Sequence, residues 1–284
     1  VHLTGGIAAL IGAIMVGPRK GRFKKGNESA FRPHNAPLAS LGLFILWFGW
    51  YGFNAGSTLG VSGGLIDVAA KVAVNTTLAP AAGGLVVLFF GKFVLGEKWS
   101  LYNTINGILA GLVGITAGCS LVEPWAAVLI GSIAGGVYLG AAQLLLLVRV
   151  DDPIGAFPVH GACGIWGVLS TGLFATRDNL EAAYGSTDNF GGFYGGGGRQ
   201  FGMQLLGVLS IVAWVGTWSV LLFGGLKLLG ILRVSDDKQE VGMDLKHHGG
   251  PALILDSSRS SETSGSTDVE LANVANVEES KESS

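Results

Sequence analysis

Seven apolar runs divide most of the chain. Crossing a bilayer as a helix takes about 17–25 predominantly apolar residues. The pattern therefore predicts an all-α, polytopic membrane protein with seven crossings. The first run begins at Val1, inside apolar sequence, so we interpret it as the truncated end of a span in a longer protein without a signal peptide. The runs cover 1–17, 37–55, 72–94, 102–121, 125–148, 153–174 and 200–229.

Glycine recurs at four-residue spacing along several of these runs. Small residues at this spacing let helix backbones approach closely in lipid. We therefore expect most of the 47 glycines to serve helix packing. The pairs are Gly107/Gly111, Gly114/Gly118, Gly131/Gly135 and Gly136/Gly140.

Charge separates the chain into two parts. Residues 1–234 carry 14 basic and 9 acidic residues, whereas residues 235–284 carry 4 and 11. With 13% charged residues and a mean hydropathy of +0.51, the composition excludes an ordinary soluble domain. We predict a transmembrane domain over 1–234 and an acidic, largely disordered tail over 235–284. Cys119 and Cys163 lie among apolar residues, a pattern of neither a disulfide framework nor a metal site.

Basic residues lie unevenly in the short connections, which predicts the orientation. By alternation, nine fall on one side and three on the other. The positive-inside rule places the richer side, and with it the acidic tail, in the cytoplasm. The richer side holds the six basic residues of 19–32 with Lys92, Lys98 and Arg149, and the poorer side holds Lys71, Arg177 and Arg199.

The first run has a counterpart later in the chain. VHLTGGIAALIGAIMVGPR (1–19) aligns without gaps with VHGACGIWGVLSTGLFATR (159–177). Four crossings lie between them, so the two segments traverse the membrane in opposite directions. Inverted repeats are a recurrent design of transporters, with the working site near the midplane.

The aligned segments share a histidine, and we single out His2 and His160 as the candidate site. Ionisable residues inside spans are rare and usually face a cavity or a partner. Two neutral rings can satisfy each other and still present a nitrogen to a small guest. Two alternatives stay open: a core histidine bonded to a backbone carbonyl, and ligation of a haem iron by both rings.

The helix that carries His160 is expected to start at Asp152, as its N-cap, with Pro153 in the first helical position. Pro158 should then kink the helix one turn in. Asp151 and Asp152 are interpreted as residues that cap the helix and complement its dipole, with proton or cation coupling as the alternative.

Several segments together resemble the Amt/MEP/Rh ammonium transporters, and most closely their plant-type members. The resemblance covers about residues 1–250, in order and at compatible spacing. It implies an ammonium-transporter fold of eleven crossings with inverted five-helix repeats, of which about 6.5 would be present here. It also implies a homotrimer without cofactor. The segments are VHLTGG (1–6), GPRKGRF (17–23), WFGWYGFNAGS (47–57), ITAGCSLVEPWAAVLIG (115–131), DDPIGAFPVHGACGIWG (151–167) and GMDLKHHGG (242–250).

The resemblance assigns roles to individual residues. His2 and His160 would be the family's twin histidines, Phe53 a residue that helps to gate the outer mouth, and Ser57 one that helps to recruit ammonium. The tail segment 242–250, with Gly242, Asp244 and Lys246, would be the regulatory contact between subunits. Lys246 stands where plant members carry a phosphorylated threonine, which departs from the known switch.

The resulting hypothesis is transport rather than catalysis. Ammonium would lose its proton at an outer site and cross as ammonia past the histidines, because an unpaired ion is strongly penalised in an apolar lumen. The implied partners are ammonium, or methylammonium as its analogue, further copies of the chain and the lipid bilayer. No nucleic acid partner is expected, and the expected location is the plasma membrane. An ammonium sensor signalling through the tail is the alternative.

Overall fold

The computed structural model describes residues 1–33, 35–96 and 98–243. All regular secondary structure in this part of the chain is helical. A single π-helical turn, Phe157–Ala162, leads directly into α6. Short 3₁₀ turns lie at Glu28–Phe31, Ala55–Thr58 and Gly192–Tyr194. The α-helices are α1 (His2–Val16), α2 (Ala36–Asn54), α3 (Leu65–Phe93), α4 (Leu101–Thr116), α5 (Pro124–Leu147), α6 (Cys163–Phe174), α7 (Arg177–Tyr184), α8 (Arg199–Leu228) and α9 (Asp236–Val241).

Each predicted apolar run contains one helix. Five helical segments are long and apolar enough to span a membrane, namely Ala36–Thr58, Leu65–Phe93, Pro124–Leu147, Phe157–Phe174 and Arg199–Leu228. The helices in the other two runs, α1 and α4, are apolar but only 15 and 16 residues long. The described chain is thus an all-α, multi-pass membrane protein.

The run predicted over 102–121 ends as a helix at Thr116, earlier than expected. The chain then turns inside the bundle, where peptide groups need partners because water is excluded. Asn75 of α3 supplies them: its Nδ2 donates to the carbonyls of Cys119 and Val122, each at 2.9 Å. A buried amide on a neighbouring helix therefore replaces the last helical turn.

Glycine holds α3, α4 and α5 together, as the spacing predicted for most of the pairs. A Cβ on Gly131 would lie 2.0 Å from the carbonyl oxygen of Ala79, and one on Gly111 would lie 2.5 Å from the same oxygen. The backbones therefore meet directly. For Gly136 and Gly140 it stays a prediction: a Cβ there would meet nothing within 4 Å among the described residues, because that face of α5 is turned away from the neighbouring described helices.

Residues 1–233 form one compact unit, and the chain from Val234 onward belongs to a second. Within the predicted tail, Asp236–Val241 form the short helix α9, so this stretch is not irregular. Gly242 follows with a φ of 90°. Asp244 and Lys246 lie outside the described residues.

Candidate functional site

His2 and His160 contact each other. His2 is the first residue of α1, and His160 lies in the π-helical turn before α6. Their Nδ1 atoms are 3.3 Å apart, and the rings are stacked, with centroids 5.3 Å apart and planes inclined by 22°. At this distance one Nδ1 donates and the other accepts, since two N–H groups would oppose each other.

A close crossing of α1 with the segment of His160 brings the two rings together. A Cβ on Gly6 would lie 2.1 Å from the backbone nitrogen of Gly161, and one on Gly164 would lie 2.9 Å from that of Leu3. In the alignment of the two segments, Gly6 corresponds to Gly164 and Leu3 to Gly161. The two contacts are therefore the same contact made twice, as expected of elements related by an approximate two-fold axis.

The turn that carries His160 is π-helical, and it starts later than the sequence suggested. Pro153 lies in a turn outside the helix, so the predicted first helical position is wrong. Gly155, with a φ of 68°, interrupts the run, and the helix begins only after it. Asp152 still acts as a cap, because its carboxylate accepts from the backbone nitrogens of Ala156 (3.0 Å) and Phe157 (2.8 Å).

Pro158 sits at the start of this helical segment rather than one turn inside it. Its missing N–H would have no intrahelical acceptor there, so the kink predicted from an interior proline does not arise. The widening comes instead from the π turn, in which the Cys163 N–H bonds to the Pro158 carbonyl. Single π turns of this kind occur often at functional sites.

Aromatic side chains of α2 cover the histidine pair. The Trp50 ring stacks on His2 with centroids 5.1 Å apart and planes inclined by 20°, and Phe53 lies 5.7 Å from His2. Trp50 is buried and its Nε1 donates to Thr116 Oγ1 at 2.9 Å. The sequence interpretation gave neither Trp50 nor Thr116 a role at the site. The i, i+3 spacing of Trp50 and Phe53 on one helix face was the available signal.

One buried polar atom of the pair is without a partner in the described part of the chain. The Nε2 atom of His2 is buried, and no hydrogen-bond partner for it is found in the described part of the chain. A simple core histidine bonded to a carbonyl, the first alternative, does not account for this atom. A buried polar atom left unsatisfied costs about 1–3 kcal/mol, so a hydrogen bond from a small guest to this nitrogen would be favourable.

The haem alternative does not fit these residues. An iron held between two imidazoles would need their ligating nitrogens roughly 4 Å apart, from two metal–nitrogen bonds of about 2 Å. The macrocycle would also have to lie between the rings, whereas they contact each other directly. Among the described residues, no group of three or more metal-ligating side chains is found either.

Ser57 lies one turn beyond Phe53, in the 3₁₀ turn after α2. Its hydroxyl donates to the Phe53 carbonyl, so its lone pairs remain available to accept a hydrogen bond. Together with Asn54 and Thr116 it lines a cavity of about 340 Å³. Phe53 does not line this cavity, and its ring lies 5.7 Å from that of His2.

Asp151 has a different role from the cap expected for it. At the far end of α1, Arg19 donates to its carboxylate from Nε (2.8 Å), Nη2 (2.9 Å) and the backbone nitrogen (3.0 Å), and Arg22 from Nε at 3.3 Å. Burial by itself would raise the pKa of Asp151, but the Arg19 hydrogen bonds and both guanidinium charges hold it below its usual value of 3.8. This cluster ties the loop after α1 to the segment before His160.

These features define a multi-pass α-helical membrane protein in which two helices, related by an internal alignment, meet at a histidine pair. A family model described as Ammonium Transporter Family matches residues 1–253. The chain belongs to that family.

Relatives and solved structures agree with this assignment. The chain is 43% identical over 264 residues to Ammonium transporter 1 member 1 of Oryza sativa subsp. japonica, covering 89% of this chain and 53% of that protein. It resembles the structure of a Sensor Amt Protein (36% identity, TM-score 0.73, 87% of this chain and 58% of the other). It also resembles the crystal structure of Saccharomyces cerevisiae Mep2 (33%, 0.74, 84% and 52%). The chain spans about half the length of the curated relatives it matches.

Proposed function

We propose that this chain forms the histidine-bearing half of a protein that moves ammonium across a membrane. The supporting observation is the buried, unpartnered Nε2 of His2. The other nitrogen of the same ring, Nδ1, contacts His160. Ammonia both donates and accepts hydrogen bonds and is small enough to use such a nitrogen. Family membership and the names of the relatives support the same substrate.

Selection against potassium follows from charge. Ammonium and potassium carry the same charge, but only ammonium can release a proton and continue as a neutral molecule. A bare ion among apolar groups is strongly penalised. The step we propose is release of one proton from ammonium to water at the outer mouth, leaving ammonia to pass inward.

The residues of α2 suit the entrance to this path. The exposed aromatic face of Phe53 can hold a cation, a contribution of about 0.5–2 kcal/mol. The Ser57 hydroxyl accepts an N–H beside it. In the proposal Phe53 then separates this outer site from the histidine pair.

Ammonia next hydrogen-bonds to Nε2 of His2 and passes along His160. Whether the released proton stays outside or returns through the imidazole pair determines whether transport carries current. Measuring ammonium-evoked current across membranes that contain the full-length protein separates the two routes. Release of the proton outside predicts no current.

The test of transport itself is His160→Leu in the full-length protein, with labelled methylammonium uptake as the readout. Leucine keeps the volume and removes both nitrogens, so we expect uptake to be lost or its selectivity over potassium to change. Protein abundance in the membrane is measured in parallel, to separate function from folding. Unaltered uptake and selectivity at equal abundance would contradict the role of His160.

Sensing is a second candidate, favoured by the likeness to the Sensor Amt Protein. It uses the same histidine site but reports through the tail after Arg233. Deleting residues 235–284 distinguishes the two: a transporter loses or changes uptake rates, whereas a sensor keeps ammonium binding and loses a downstream response. We also propose a homotrimer in the plasma membrane with the tail in the cytoplasm, as the resemblance implies. Mass measurement in detergent checks the assembly state.

A further inference from the structure

A large cavity lies at the opposite end of the bundle from Ser57. Its volume is about 700 Å³, and it opens between α2, α4, α5 and the segment that precedes the π turn. The proposed transport path uses none of its basic residues. It combines a cationic wall with an apolar one.

Three guanidinium groups, those of Arg19, Arg22 and Arg32, form the cationic wall. Arg19 and Arg22 share the Asp151 carboxylate, and Arg32 is exposed, with no ion pair found for it in the described ranges. The Asp152 carboxylate accepts from two backbone N–H groups and keeps its charge, so three guanidinium groups face the two carboxylates of Asp151 and Asp152. Positive charge at this wall therefore exceeds negative charge.

The arginines are also held in place. The ring of Phe31 lies beneath two of them, 4.9 Å from the Arg19 guanidinium and 5.6 Å from that of Arg22. Aromatic stacking and the bonds to Asp151 fix these side chains before any ligand arrives. Preorganised donors lose less entropy on binding an anion.

A second, independent feature points to a ligand. Tyr102, in the first turn of α4, also lines the cavity, and its hydroxyl oxygen is buried without a hydrogen-bond partner among the residues that the structure describes. A buried phenol that donates to nothing is costly. An anionic oxygen in the cavity would accept that hydrogen.

The opposite wall is apolar and continues onto a surface that is exposed in the described chain. Leu38, Leu146 and Ile154 line the cavity yet are 62%, 44% and 79% exposed. A free inorganic anion would use the arginines and Tyr102 and leave this wall uncovered. A ligand with an anionic head and hydrocarbon chains matches both walls.

We propose that this cavity binds an anionic phospholipid, with its phosphodiester between the arginines and Tyr102 and its acyl chains against Leu38, Leu146 and Ile154. Basic pockets between membrane helices are known places for such head groups, and arginine is suited to phosphate. The proposal rests on the multi-pass membrane assignment and is independent of what the protein transports.

The test uses the full-length protein in detergent, and native mass spectrometry counts the bound lipids. The probes are phosphatidylglycerol and phosphatidylcholine, supplied separately at equal concentration. We expect phosphatidylglycerol to be retained about tenfold more tightly, a difference of about 1.4 kcal/mol. The double variant Arg22→Gln/Arg32→Gln should lose most of this preference, and Arg19 still pairs with Asp151 in it.

Lys24→Gln/Lys25→Gln is the matched control, because it removes the same charge from exposed residues of the same loop that do not line the cavity. It should keep the preference. Equal loss in both double variants, or an intact preference in Arg22→Gln/Arg32→Gln, would overturn the proposal. Should that variant fail to fold, the single Arg32→Gln replaces it, because no described contact of Arg32 would be broken.

Two further arms exclude other occupants. Inorganic phosphate should not displace phosphatidylglycerol at equal concentration; if it does, the site is one for free phosphate and the lipid proposal is wrong. Lipid retention should also be present with the acidic tail intact. Retention seen only after removal of residues 235–284 would assign the cavity to the tail and likewise overturn the proposal.

Discussion

The backbone of Gly161 occupies the place that a side chain on Gly6 would need. The ideal Cβ of Gly6 lies 2.1 Å from the Gly161 nitrogen and 2.2 Å from its Cα, and Gly164 repeats the contact against Leu3. Because His2 and His160 are close neighbours of this crossing, the distance between the two helices sets the distance between the rings. The absence of a side chain at Gly6 is thus a condition for the histidine contact.

Gly6→Ala should therefore separate the helices. Overpacking of this kind costs about 1–3 kcal/mol, and here backbone atoms rather than a flexible side chain must yield. We expect a lower melting temperature in detergent and, in the full-length protein, reduced methylammonium uptake.

Gly5→Ala is the control for this crossing. It lies next in the same helix, but its Cβ would meet nothing within 4 Å. Alanine is favoured over glycine within a helix by up to about 1 kcal/mol, so the variant should be as stable as the parent or slightly more so. Equal behaviour of the two variants would show that the crossing tolerates a methyl group.

The glycine contacts between α3, α4 and α5 allow a second comparison. Gly131→Ala places a methyl group 2.0 Å from the Ala79 carbonyl oxygen, whereas Gly136→Ala meets nothing within 4 Å on the same helix. We expect Gly131→Ala to destabilise the fold by about 1–3 kcal/mol and Gly136→Ala to leave thermal unfolding unchanged. A larger loss at Gly136 would mean that this face of α5 packs against something outside the described chain.

The Asp151 cluster predicts how stability depends on pH. Its pKa is depressed in the fold, so its contribution is present above about pH 4, the range of the free side chain, and is lost as pH falls through the lower folded value. The melting temperature of the parent should accordingly fall on acidification below that range. Asp151→Asn should melt lower at neutral pH and show a flatter acid limb.

The size of the Asp151 effect is limited by exposure of its partner. The Arg19 side chain is 42% exposed, whereas that of Asp151 is 3% exposed. Hydrogen bonds to charged groups contribute about 1.5–3 kcal/mol, and screening at Arg19 places the expected loss at the lower end. Asp178→Asn, an exposed acid in the first turn of α7, is the control and should change stability by less than about 0.5 kcal/mol.

Much of the fold could be predicted from the sequence, because hydrophobic length is a strong signal in membrane proteins. The aligned VH segments also predicted that α1 and the segment of His160 run in opposite directions. Spacing could not indicate which glycine faces pack: Gly136/Gly140 has the same interval as Gly131/Gly135 but meets no neighbour among the residues that the structure describes. Periodicity reports that a close approach is possible, not which neighbour is present.

The two histidines of the site could be predicted from the sequence, but the contacts that hold their helices and neighbouring side chains in place could not. The start of the helix before His160 was misplaced because Asp152 and Pro153 favour an early start, while the positive φ of Gly155 delays it. Arg19 and Asp151 are 132 residues apart and meet through tertiary packing alone, so no local pattern links them. The same holds for the bond from Trp50 to Thr116, which crosses from α2 to α4.

That bond leads to a prediction about how the Trp50 ring is held on His2. In Thr116→Val the Trp50 Nε1 would lose its acceptor, which costs about 1–3 kcal/mol when the group is buried. The indole would then turn to find another, and its stack on His2 would loosen. We expect methylammonium uptake to fall several-fold in the full-length protein at unchanged membrane abundance. Thr116→Ser keeps the hydroxyl and should retain uptake.

Thr77→Val is the matched control for this effect. Thr77, like Thr116, bonds its hydroxyl to the carbonyl four residues earlier and contacts an aromatic side chain of α2, in this case the Tyr51 hydroxyl at 2.7 Å. Tyr51 is not among the aromatic neighbours of His2, so uptake should be unaffected. Equal losses in both valine variants would point to helix stability as the cause, and normal uptake in Thr116→Val would show that the orientation of Trp50 does not depend on this bond.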